Sequence, residues 1–174
     1  AKEIQNNTKT STKDGGDLVN PPEDTNDSYW KYKNMSLSSV DFSELLTAIK
    51  DRYQEIIDEL QLDLSLDKEF EIISENFKNK IGKCYAASRG EYLNGIVMAS
   101  YLDFEFIDAA DVILFDENEN CMLDETNELL QERLKGCEYA VIPGFYGRRE
   151  DGTIQTFSRG GSDVTGSLVA KAIH

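Results

Sequence analysis

"GTIQTFSRGGSDVTGSLVAKAI", residues 152–173, runs from a β-rich segment through a turn of arginine, paired glycines, serine and aspartate into a small-residue, helix-like run. Strand, turn and helix in that order point to an α/β architecture, in which the turn leads into the helix and the first amides of that helix face a ligand. Ser162 or Asp163 is placed to cap the helix. Gly160 and Gly161 let a ligand approach the backbone, and Arg159 can grip a carboxylate or phosphate with two parallel hydrogen bonds. Asp163 would repel such an anion, so it needs a cationic partner, a metal, an ammonium group or a donor hydroxyl. A plainer reading stands beside this one, with Asp163 a helix cap and Arg159 a surface residue.

Upstream, Asp151-Gly152 forms a tight turn and "VIPGFYG" (141–147) a glycine-containing segment, so a hairpin can set the two glycine stretches side by side. Gly144 and Gly147 read either as permitting close approach to a phosphate or as shaping the turn. Arg148 and Arg149 read as a hairpin rim. "FEFIDA", "DVILFD" and "YAVIPG" read as short strands, with a helix over 124–135 closed by Gly136. Before them, apolar residues from Phe42 to Leu60 recur at three- and four-residue steps, predicting an amphipathic helix with Ser38 and Ser39 as capping candidates. Helices are also predicted over 68–80 and from Ser88 to Tyr101. In "ASRGEYLNG", Ser88 and Glu91 have capping-box spacing, and Glu91 has a second possible role as acceptor for a substrate ammonium group. The expected fold is α/β, a mainly parallel open sheet flanked by helices, with its ligand beyond the carboxyl ends of the strands.

The 174 residues, 40% of them apolar, suit one core. With 33 acidic and 18 basic residues the net charge is −15, which disfavours nucleic acid and anionic membranes as partners. Any anion must therefore be held locally. No apolar run reaches a membrane span, and Cys84, Cys121 and Cys137 lack paired spacing, so a cytoplasmic protein is expected. The sole histidine, His174, is terminal and poorly placed for catalysis. The acidic run "FDENEN" lacks EF-hand periodicity, and no metal-binding residues are assigned.

Taken together, "YAASRGEYLNG", "FIDAADVI", "VIPGFYG" and "DGTIQTFSRGGSDVTGSLVAKAI" resemble the aspartate kinases of the amino acid kinase family, from about Phe42 to Ile173. The resemblance implies the carbamate kinase-like fold and transfer of the ATP γ-phosphoryl group, with Mg2+, to the side-chain carboxylate of L-aspartate. The product is 4-phospho-L-aspartate, at the entry to lysine, threonine and methionine synthesis. It further implies that Arg159 holds a substrate carboxylate, Glu91 the ammonium group, and Asp163 organises the reacting groups. Ser88, Gly160, Gly161 and Ser162 complete the substrate site, and Gly144, Phe145 and Gly147 contact the nucleotide. The family's lysine-glycine loop has no counterpart here. Residues 1–36, polar and turn-prone, read as a mobile segment or loop, and by the resemblance 37–174 is expected to be the substrate-binding half of an incomplete catalytic domain, inactive by itself, with a homo-oligomer as an open expectation. A glutamate-type amino acid kinase and a non-catalytic acidic interaction module are the competing expectations.

Overall fold

The computed structural model describes residues 41–174; the expected mobile segment 1–36 and the capping serines Ser38 and Ser39 lie outside them. Helix α1, Phe42–Glu59, is capped by Asp41, whose side chain accepts from the Ser43 amide. Helix α2 spans Asp67–Lys78 and helix α3 spans Lys83–Leu102. Ile57, Leu66, Phe70, Ile73, Tyr85, Leu93 and Val97 from these helices and the α1–α2 connection form one core. Phe42, Ile49 and Leu60, although in step with the apolar stripe of α1, remain exposed.

The second core gathers Ile107, Val112, Ile113, Phe115, Leu130, Tyr146 and Leu168 around the strands. Strand β1 (Glu105–Phe106) is followed by the short helix α4 (Ala109–Val112) and strand β2 (Leu114–Phe115). Helix α5 (Leu123–Leu134) leads to β3 (Ala140–Val141), β4 (Tyr146–Arg149), β5 (Ile154–Thr156) and helix α6 (Gly161–Ala172). The first two residues of the expected strand "DVILFD" are thus helical, because Asp108 caps α4 by accepting from the Ala110 amide.

The chain is α/β, but among the described residues its strands form two small sheets, not one open sheet. β1 pairs with β3 in parallel, Phe106 opposite Val141. β2 pairs with β4 in parallel, and β4 pairs with β5 antiparallel, Gly147 opposite Gln155. Between β3 and β4 lie Pro143, which has no amide to donate, and Phe145, at φ 63, so the chain turns where a continuous strand would run on. The β4–β5 hairpin closes as expected at Asp151-Gly152, where Gly152 has φ 84 and the Asp151 carboxylate accepts from the Thr153 amide at 2.9 Å. Arg149 is held on that hairpin by Glu119 and Gln155.

Gly147 is fixed by this arrangement. A Cβ there would lie 2.3 Å from the Ile113 carbonyl oxygen, so β4 passes α4 and β2 at a distance only glycine permits. Gly147→Ala is therefore expected to destabilise the chain by about 1–3 kcal/mol, as overpacking does, read from urea unfolding followed by circular dichroism.

Candidate functional site

A cavity of about 680 Å³ runs along α6 to its end at Ile173, walled by the middle of α3, by β3 and the loop after it, and by the end of α5 with the connection that carries Glu138. Glu91 enters it from α3, Ile142 and Gly144 from the loop, and Ser162, Thr165 and Gly166 from α6. Its size suits a small-molecule ligand. It extends alongside β3 and past the carboxyl end of that strand, the end at which ligands bind in α/β folds.

The loop and α6 touch with no space to spare. A Cβ on Gly144 would lie 2.9 Å from the Ser162 Oγ, and one on Gly161 would lie 2.6 Å from the Phe145 Cβ. The buried Thr165 ties the two together: its hydroxyl accepts from the Phe145 amide at 3.2 Å and donates to the Gly161 carbonyl at 2.9 Å. The Phe145 carbonyl accepts from the Phe157 amide at 2.9 Å, so both backbone groups of Phe145 are used inside the protein. Gly144 and Phe145 consequently shape this contact, with the Phe145 amide committed to Thr165, and Gly147 packs against Ile113. In and just before α6, Gly160, at φ 60, and Gly166, on the cavity wall, have open space around them.

Gly160, in the left-handed region, is the N-cap of α6, and no side chain caps the helix. The expectation that Ser162 or Asp163 would do so is corrected: both already lie inside the first turn, too late to serve as N-cap. The amides of Gly161, Ser162 and Asp163 are therefore without a capping side chain at the positive end of a twelve-residue helix. Arg159 and Asp163 are exposed and lie beside this helix start in sequence, but neither lines the cavity. Among the described residues Arg159 takes part in no ion pair.

The other expected cap is also corrected. Gly82, at φ 125, starts α3 at Lys83, so Ser88 and Glu91 are interior positions and form no capping box. Ser88 is fully buried, donating to the Tyr85 carbonyl at 2.8 Å and accepting from the Arg89 guanidinium. Glu91 is half-buried at the flank of the packed face, where its carboxylate is available to the cavity. Burial raises the pKa of Tyr53, and the nearby Glu91 charge adds to the rise; the Tyr53 hydroxyl lies 3.1 Å from both the Gly90 carbonyl and the Asn94 Oδ1. Sequence reasoning missed Thr165, Tyr146 and the buried Arg89. The available signal for Arg89 was a cation flanked by tyrosines four residues before and three after, on one helix face.

No protein-family model matches the chain. Over 145 residues, 75% of the chain, it is 33% identical to aspartokinase 3 of Bacillus subtilis, and the match spans 32% of that protein. Among solved structures, the Clostridium acetobutylicum aspartate kinase superposes with a TM-score of 0.72 at 44% identity, covering 78% of this chain and 31% of that one. Escherichia coli aspartokinase III, solved with aspartate and ADP, shares the fold with a TM-score of 0.62 at 23% identity, covering 78% of this chain and 36% of that one. The chain thus spans about a third of the length of the first curated relative it matches.

The Thr165 bridge is testable without a ligand. Thr165→Val keeps the shape and strands the Phe145 amide, and it is expected to cost about 1–3 kcal/mol in chemical unfolding, the penalty for a polar group left unpaired.

Proposed function

Because this chain belongs to the aspartokinase family, we propose that it carries the amino-acid-binding part of an amino acid kinase that phosphorylates the side-chain carboxylate of L-aspartate. The observation that carries the reading is the polarity of the cavity: the Glu91 carboxylate on one wall and the uncapped start of α6 on another. An amino acid has a matching pair of charges. Its ammonium group donates to Glu91, in a hydrogen bond strengthened by charge on both partners. A carboxylate is held at the α6 N-terminus, where the Gly161, Ser162 and Asp163 amides and the helix dipole favour an anion against the overall charge of −15. Arg159, immediately before Gly160, adds a bidentate grip, and Gly160 leaves the approach open.

In the reaction proposed for the whole protein, an oxygen of the substrate's side-chain carboxylate attacks the γ-phosphorus of ATP as the bond to the ADP oxygen breaks, giving 4-phospho-L-aspartate and ADP. The chain's contribution is to hold the acceptor oriented and to neutralise its charges, which is most of what phosphoryl transfer asks of a protein. Asp163, exposed in the first turn of α6, is proposed to order the reacting groups. The nucleotide is not assigned to Gly144, Phe145 and Gly147, whose close packing accounts for the two glycines without a ligand. Mg2+ that accompanies ATP is usually held by phosphates and one or two carboxylates, and among the described residues no three metal-ligating side chains converge, so no protein cage is assigned to it. Three unpaired cysteines fit a reducing, cytoplasmic setting.

Calorimetric titration of the chain tests the reading. L-Aspartate is expected to bind, Arg159→Ala to abolish binding while changing folding stability by less than about 0.5 kcal/mol, and Glu91→Gln to weaken binding by about tenfold or more. A folded chain that gives no heat with L-aspartate would sink the proposal.

A further inference from the structure

Arg89 is 8% exposed, yet it forms no ion pair among the described residues. A buried cation with no compensation is among the costlier features a fold can carry. Its compensation here is unusual. The guanidinium lies 4.5 Å from the ring centroids of both Tyr85 and Tyr92 and 5.4 Å from that of Tyr146, within cation–π range. Its Nε and Nη2 donate to the Ser88 Oγ at 3.2 and 2.9 Å. Tyr146, itself fully buried, donates to the Asp108 Oδ1 at 2.7 Å, the same oxygen that accepts from the Ala110 amide and caps α4. The Asp108 carboxylate is thus linked to the cage through the Tyr146 hydroxyl, with no direct bond to Arg89.

The origin of each wall of this cage matters. Tyr85, Ser88 and Tyr92 belong to α3 and move with Arg89, whereas Tyr146 belongs to β4 and Asp108 to the cap of α4. The cage is complete at only one rotation of α3. Apolar contacts act on the same rotation: Leu93 and Val97 are buried in one core and Tyr92 packs against Phe106, while Met98, Tyr101 and Leu102 are left exposed. Gly95, where a Cβ would lie 2.8 Å from the Pro143 Cγ, has to face the loop, so the cage adds a polar constraint to an apolar one. Glu91 follows Arg89 by two residues, about 200° around the helix, at the flank of the packed face. A small rotation would therefore carry its carboxylate out of the cavity.

We propose that Arg89 is a positioning residue: caged by Tyr85, Tyr92 and Tyr146 and bonded to Ser88, it completes the set of contacts that hold α3 at the rotation presenting Glu91 to the amino-acid cavity. The role assigned to Glu91 rests on the proposed function; the role in helix docking does not.

The test is a double-mutant cycle on the full chain, using Arg89→Met, Glu91→Gln and the double variant, read by L-aspartate calorimetry and by amide hydrogen exchange. If Arg89 acts through Glu91, Arg89→Met weakens aspartate binding by about tenfold in the parent and by less than about threefold in the Glu91→Gln background, since coupled residues are not additive. Exchange rises in 86–95 and in 142–146, with α1 unchanged. Equal losses of affinity in both backgrounds would overturn the proposal, as would an Arg89→Met chain that binds and exchanges like the parent. Should Arg89→Met fail to fold, Ser88→Ala replaces it in the cycle, with about a threefold effect expected and no effect contradicting the idea. If the parent chain binds no aspartate, the proposed function fails; the exchange pattern then decides the docking role by itself.

Discussion

The candidate site depends on one close contact: the loop at Pro143–Phe145 lying directly on the first turn of α6. Gly144 and Gly161 permit it, because a methyl group at either position would strike Ser162 or Phe145. Thr165 then secures it with a hydrogen bond to each side. The consequence is chemical as well as mechanical. With Gly160 as the cap and no side chain spending itself on the helix start, the amides of the first turn stay available beside a cavity whose opposite wall carries a carboxylate. A site of mixed polarity is thereby built into a protein whose overall field is strongly negative.

The second constraint is the position of α3 between the two cores. Tyr92 and Ile154 pack against both clusters, so the three-helix layer and the strand layer are joined through this helix and the β5 hairpin. Gly95 lets α3 come down on Pro143 and Phe106. The polar chain from Ser88 through Arg89 and Tyr146 to Asp108 crosses the same junction. Burial and the neighbouring Asp108 charge raise the Tyr146 pKa, keeping its phenol protonated as the donor this chain requires.

Features governed by neighbours in sequence were legible in it. The three- and four-residue spacing marked α1 and α2, Gly136 marked the end of α5, Asp151-Gly152 marked the hairpin, and "TFSRGGSDVTGSL" marked a strand, turn and helix. Features governed by distant residues were not. Ser88 and Glu91 have the spacing of a capping box, but the burial of Tyr85, Ser88 and Arg89 goes with a helix that begins at Lys83. "DVILFD" has strand composition, but Asp108 starts a helical turn within it. Gly144 and Gly147 read equally well as phosphate contacts or as packing positions, and only the placement of Ser162 and Ile113 separates the two. Glu91 and Ser162 were foreseen as site residues and do meet in one cavity, whereas Arg159 and Asp163 stand outside its lining, at the exposed turn.

The central claim is that Glu91 and the start of α6 form one amino-acid site. The most direct measurement is a 15N-edited NMR titration of the labelled chain with L-aspartate. Saturable shifts concentrated at the amides of Gly161, Ser162 and Asp163 and in α3 around Glu91, all fitting one dissociation constant, are the predicted result. Shifts confined to other surfaces, or two groups of shifts titrating independently, would contradict it.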